Sequence, residues 1–123
     1  MSVYTGDVII IQGSMRMDAD KVMVYMDDKR EITKLVATGN LVKFKQIPEE
    51  GKEAVRGQSL RADYFPARKL LVLKQQAVIW QGDNSTASEY IEYDREQELI
   101  KAGDKVVTNK RVHVILQPSS KEE

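Results

Sequence analysis

The residues that could do chemistry in this chain are few and scattered. Asp18 and Asp20, in "MRMDAD", put two carboxylates on one face of a strand, which is the start of a cation site. No further oxygen ligand follows at the loop spacing a hard cation needs, so the pair reads as polar face plus bend. His113 alternates with Val112 and Val114 and so points outward as a surface residue. Ser14, Ser59, Ser85 and Ser88 lack a nucleophile-elbow context and have no histidine at hand. The chain has no cysteine, which removes thiol nucleophiles, zinc–thiolate centres and disulfides. The expectation is a protein that is not an enzyme and uses no metal or cofactor.

The bulk charge narrows the partners. Lys+Arg and Asp+Glu are both 19, a formal net charge of zero, so nothing in the electrostatics favours nucleic acid. No window approaches the ~18 apolar residues of a membrane-spanning helix. The opening "MSVYTGD" has neither a basic nor an apolar leader segment. If the protein is exported, its signal peptide is absent from this chain.

The apolar pattern has period two nearly throughout. Met15, Met17 and Ala19 alternate with Arg16, Asp18 and Asp20; Val42 and Phe44 alternate with Lys43 and Lys45; Leu60 and Ala62 alternate with Arg61 and Asp63. Such alternation gives strands with one wet and one dry face. Turn residues interrupt it at Gly6-Asp7, Gln12-Gly13, Asp27-Asp28-Lys29, Gly39-Asn40, Pro48 to Lys52, Gly57, Pro66-Ala67-Arg68, Gly82-Asp83-Asn84, Asp94-Arg95-Glu96 and Gly103-Asp104. The spacing predicts ten to twelve short antiparallel strands. The best helix candidate, "REQELIKAG", reads equally well as part of a hairpin.

A repeat underlies these strands. "TGDVIIIQGSMRMDADKVMVY", "TGNLVKFKQ…VRGQSLRADYFPA", "KQQAVIWQGDNSTASEYIEYD" and the weaker "AGDKVVTNKRVHVIL" share a frame of turn, strand, turn, strand, starting at residues 6, 39, 75 and 103. The third copy has Gln75-Gln76 where others have Gly-Asp or Gly-Asn. A small-acidic step sits inside the second strand of the first three units: Ala19-Asp20, Ala62-Asp63, Ser88-Glu89. Before the first step the apolar positions are Met15, Met17 and Ala19; after it they are Val22, Val24 and Met26. A phase slip without loss of strand character predicts a bulge or corner that re-aims the inner face. The third and fifth positions after each turn predict the inward pairs Ile9 and Ile11, Val42 and Phe44, Val78 and Trp80.

On these repeats the sequence resembles the LptA/OstA-like periplasmic lipopolysaccharide-transport family. The matching words are "TGDVIIIQGSMRMDADKVMVY", "ATGNLVKFKQ", "VRGQSLRADYF", "LVLKQQAVIWQGDNSTASEYIEYD" and "RVHVILQP", spanning residues 4–118. The resemblance implies an all-β fold, a twisted antiparallel β-jelly-roll or solenoid-like roll with an apolar groove. It implies a single such domain over residues 1–117, followed by a polar C-terminal tail over 118–123. It further implies a periplasmic carrier that shields lipopolysaccharide acyl chains between inner and outer membranes. Its partners would be lipopolysaccharide (lipid A), the OstA-like domains of inner- and outer-membrane transport components, and further copies joined head to tail. Family members begin with one more strand pair upstream of the "TGD" turn, so this chain is expected to lack that pair and its docking edge.

A carrier needs somewhere dry rather than a reactive group. Each methylene withdrawn from water is worth about 0.8 kcal/mol, so exposing ten would cost on the order of 8 kcal/mol. The lipid-contacting candidates are Phe44 and Trp80, with Ile9, Ile11, Met17, Val42 and Val78 behind them. Phe44 leads, because the family resemblance implies an inward, lipid-contacting aromatic there. Flexible methionines, of which the chain has 5, suit sliding hydrocarbon. Arg30, Lys34, Arg56 and Arg61 are the candidates for meeting head-group phosphates. The β-branched, proline-free "RVHVIL" is expected to be an edge strand open to another chain. Competing readings are a β-solenoid scaffold that binds no lipid, and an OstA-like domain of a partner in the same machinery; the short polar "PSSKEE" end counts against a cut from a longer protein.

Overall fold

The computed structural model describes residues 1–47, 53–103 and 105–109. They form one antiparallel sheet of eight strands in sequential order: β1 (Ser2–Gln12), β2 (Met15–Met26), β3 (Ile32–Gln46), β4 (Val55–Phe65), β5 (Leu70–Gln81), β6 (Asn84–Asp94), β7 (Leu99–Ala102) and β8 (Lys105–Asn109). The fold is all-β and roll-like, as its alternation implied. "REQELIKAG" resolves as the β6–β7 hairpin, and the one helical turn among the described residues is the 3-10 turn Pro66–Arg68.

Among the described residues the strands are longer than the punctuation predicted. Gly6-Asp7, Gly39-Asn40, Gly57 and Gln75-Gln76 lie inside strands rather than between them. All but Gly57 mark a line of register breaks across the sheet: between Thr5 and Val8, Asp18 and Lys21, Thr38 and Val42, Gln58 and Arg61, Lys74 and Ala77. Bulges bend the strands that carry them. Aligned over five strand pairs they crease the whole sheet into two limbs. One limb runs from the crease to the tips near Gly13, Ile47 and Gly82. The other runs to the tips near Asp28, Ala67 and Glu96.

Carboxylates anchor the crease. Asp20 Oδ2 accepts a hydrogen bond from the Asn40 backbone N–H at 3.1 Å, and Glu89 Oε2 accepts one from the Gln76 N–H at 3.2 Å. These are the acids of the first and third small-acidic steps, so the bend predicted there is present at both. The second step is a correction: Ala62 and Asp63 pair regularly with Ala37 and Val36, and the slip falls at Ser59-Leu60. Where glycine was missing from the third repeat, Gln75 and Gln76 adopt φ of 68° and 54°. Left-handed backbone costs a non-glycine residue roughly 1–2 kcal/mol, and the Glu89 bond is a compensation.

The limbs bury their facing sides against each other. Met15, Met17, Val42, Phe44, Val55, Ala77 and Ile79 come from one limb; Leu35, Ala37, Tyr64, Leu71, Leu73, Ile91 and Tyr93 come from the other. Phe44 stacks on Tyr93 across the gap, with ring centroids 6.0 Å apart.

Candidate functional site

The faces can be assigned strand by strand. Cross-strand neighbours Met17, Phe44, Gly57 and Ile79 form one inward row, and Met15, Gln46, Val55 and Gln81 form the next, nearer the tips. Met17, Val42 and Phe44 therefore face inward, at 0, 1 and 4% exposure. Ile9 and Ile11 do not. They are 50 and 68% exposed, and the inward residues of β1 are the partly buried Val8 and Ile10. Val78 and Trp80 likewise turn outward, while Ala77 and Ile79 face in.

The physical reason is the length of the bulge. In β1 and β5 two residues are consumed at the crease, Gly6-Asp7 and Gln75-Gln76. In β3 three are consumed opposite β4: Gly39, Asn40 and Leu41. One extra residue inverts every later side chain. The same offset from the turn is thus inside in β3 and outside in β1 and β5.

The interior is closed at its open side by a polar cluster that sequence reading missed. Arg95, in the β6–β7 turn, donates from Nε to Gln46 Oε1 at 2.7 Å and from an Nη to Gln12 Oε1 at 3.3 Å. The same guanidinium donates to the Tyr64 hydroxyl, which donates to Gln12 Oε1; Gln46 donates to the Ser14 hydroxyl. Gln12, Ser14 and Gln46 lie at the tips of one limb, and Tyr64 and Arg95 toward those of the other. The cluster ties rim to rim, opposite the crease. Its members lie 31 to 83 residues apart for the Arg95 bonds alone, so no local pattern could have signalled them.

Inside, burial pushes the Tyr93 hydroxyl up to about 12, so it stays neutral beside Phe44. Outside, the second limb carries a charge cluster around Asp63, which is 2% exposed under its neighbours. Arg61 Nε donates to Oδ1 at 2.9 Å, Lys74 Nζ donates to Oδ2 at 3.1 Å, and Lys34 Nζ lies 3.8 Å from Oδ2. Burial would raise the Asp63 carboxyl; the bonds from Arg61 and Lys74 outweigh it and hold it below the usual carboxylate range. Two head-group candidates, Lys34 and Arg61, are thus gathered on one carboxylate. Arg30 sits apart in the β2–β3 turn at φ 64°, and Arg56 lies on the other limb with its guanidinium 5.9 Å from the Trp80 ring centre. Asp18 pairs with Arg16 at 2.9 Å. No group of three or more acidic, His or Cys side chains able to hold a metal occurs among the described residues. His113 and the "RVHVIL" segment lie outside the described residues, as do residues 118–123.

Comparison with known proteins gives a consistent picture. The profile of the family described as "LptA/(LptD N-terminal domain) LPS transport protein" matches residues 1–99. The lipopolysaccharide export system protein LptH of Pseudomonas aeruginosa is 29% identical over 126 residues, covering 98% of this chain and 72% of that protein. The lipopolysaccharide export system protein LptA of Escherichia coli is 31% identical over 118 residues, covering 94% of this chain and 62% of its own length. The crystal structure of LptH, described as the LptA-homologous periplasmic component of the lipopolysaccharide transport device, superposes with a TM-score of 0.76 at 27% identity, covering 94% of this chain and 83% of LptH.

Proposed function

The chain belongs to the LptA/(LptD N-terminal domain) LPS transport protein family, and from that premise we propose that it is a periplasmic lipopolysaccharide carrier whose limbs part to hold acyl chains between them. The observation that carries this reading is the interior itself. It is a continuous apolar surface gathered from most of the strands, closed at the rim by hydrogen bonds rather than by covalent or helical cover. Hydrocarbon placed there gains about 0.8 kcal/mol per methylene over water. The side chains that would meet it are Met17, Val42 and Phe44, with Val8, Ile10, Ala77 and Ile79 taking the places first expected of Ile9, Ile11, Val78 and Trp80. Met15 and Met17, unbranched and fully buried, can re-pack around a guest at small strain.

The second part of the reading is assembly. β1 is an edge strand with Val3, Tyr4, Ile9 and Ile11 exposed along it. An exposed apolar edge is a template for another strand. The partner proposed here is an OstA-like domain, of another copy or of a membrane-anchored transport component, added head to tail. Related proteins named for lipopolysaccharide export support the cargo, and the LptH description supports the compartment.

The test is photocrosslinking from position 44 with purified lipopolysaccharide. The expected product is a lipid adduct that competes with unlabelled lipopolysaccharide. A probe at 44 that labels only protein, while lipopolysaccharide is present in excess, overturns the carrier reading.

A further inference from the structure

The outer face of the first limb carries an arrangement that folding alone does not favour. Arg16 on β2 pairs directly with Lys45 on β3, and Lys45 pairs directly with Arg56 on β4. Three cations therefore stand side by side on one face of central strands. Like charges directly opposite each other destabilise a sheet. Lys43 projects from the same face two residues along β3, with Gln58 beside it in the next strand. Asp18 is the one carboxylate lining this area among the described residues, and it is engaged by Arg16. Asp18 is also the register partner of Lys43, so among the described residues four cations share one carboxylate, a local excess of positive charge in a chain of zero net charge.

The same residues line an open depression of about 680 Å³, with Trp80 as its aromatic wall. That size lies within the 300–1,000 Å³ typical of small-ligand sites. Trp80 is paired in register with Arg56, whose guanidinium rides over its ring. The chemistry on offer is a fork of charge-assisted donors for phosphoryl oxygens, an amide at Gln58 for hydroxyls, and an indole surface for the C–H face of a sugar ring. The depression overlies strands paired on both sides, so no free sheet edge is present to receive a peptide backbone.

We propose that this outer depression binds a phosphorylated saccharide. The inference rests on the carrier reading and names the polar half of the same ligand. The row Arg16, Lys45, Arg56, Trp80 lies one residue behind the rim row Met15, Gln46, Val55, Gln81, about 3.4 Å further along each strand. An amphiphile whose tails pass between the limbs can fold its sugar-phosphate head over the rim onto this row.

Trp80 is the only tryptophan, so its emission reports the depression directly. The full chain is titrated with glucose 1,6-bisphosphate, inorganic phosphate, glucose and hexaglutamate at low and high salt, alongside the double variant Lys43→Gln, Lys45→Gln. That variant keeps the Arg56–Trp80 contact, and relief of like-charge repulsion at position 45 offsets loss of the Lys43–Asp18 pairing, so its Tm should stay close to that of the wild type. The expected result is a saturable response to the bisphosphate, weakened by salt, at least ~10-fold weaker in the variant, and absent with glucose. Equal affinity for inorganic phosphate removes the saccharide from the inference and overturns it. So does a response to hexaglutamate alone, or the same response from the variant. Crosslinking from position 44 is run in parallel with intact lipopolysaccharide and with free sugar bisphosphate as competitor. Lipid adducts without any bisphosphate response sink this site and leave the carrier reading standing; loss of both sinks the carrier reading too.

Discussion

Phe44 occupies the volume that a side chain at Gly57 would need. A Cβ on Gly57 would lie 2.3 Å from Phe44 Cε1 and 3.0 Å from Leu73 Cδ1, so any larger residue facing Phe44 in the next strand forces that ring to shift. Overpacking of this kind costs about 1–3 kcal/mol. Gly57→Ala should therefore lower the denaturant midpoint. Combining it with Phe44→Leu should cost clearly less than the sum of the two single changes, because they share one space. Additive losses in urea unfolding would mean that the two positions do not compete.

Asp20 and Asn40 give a second prediction. Removing the carboxylate in Asp20→Ala frees the Asn40 N–H at the crease and should destabilise by about 1 kcal/mol, the net worth of a typical hydrogen bond. Asp20→Asn keeps an acceptor oxygen and should recover most of it. Glu89→Ala should behave like Asp20→Ala if the two carboxylates do the same mechanical job; thermal melts of the set decide this.

Asp63 makes stability depend on acid. Its carboxyl is held below the ordinary value in the folded protein, so the folded state binds its proton more weakly than the unfolded chain. Its contribution is complete above the unfolded value of about 3.9 and disappears as pH falls through the depressed folded value. Asp63→Asn should cost about 2 kcal/mol at neutral pH, where charged bonds to Arg61 and Lys74 are lost. The gap between wild type and variant should close only below about pH 4.

Arg95 predicts rim control of the interior. Because the chain has no cysteine, a Met17→Cys change installs the sole thiol, inside the limbs. Adding Arg95→Ala removes a bond network worth about 1–2 kcal/mol, which should speed alkylation of that thiol roughly 5–30-fold. Unchanged labelling would show that the limbs are held by packing alone.

How much of this could be read from residues depends on the strand. In "LVKFKQ" the lysines mark the wet face, so Val42 and Phe44 were assignable as inward. In "VIII" and "AVIW" both faces are apolar, and alternation carries no sign that chooses between them. Ile9, Ile11, Val78 and Trp80 were misplaced there because the only other guide was the offset from the turn, and one bulge holds an extra residue. The bend is legible at Ala19-Asp20, where the apolar phase slips, and at Ser88-Glu89 only through the same small-acidic pairing of residue types. Ala62-Asp63 looked alike by type, yet Asp63 serves a charge cluster on the outer face. The bonds joining Gln12, Gln46, Tyr64 and Arg95, like the stacking of Phe44 on Tyr93, depend on the sheet folding over itself, which no window of sequence encodes.

The strand order also has a developmental consequence. Because every strand from β2 to β7 lies between its immediate predecessor and successor in the chain, the described sheet is an unthreaded meander. Hairpins can be gained or dropped at either end without rerouting a single connection, so length is an evolvable dial in this architecture, and nucleation could begin at any hairpin and spread outward.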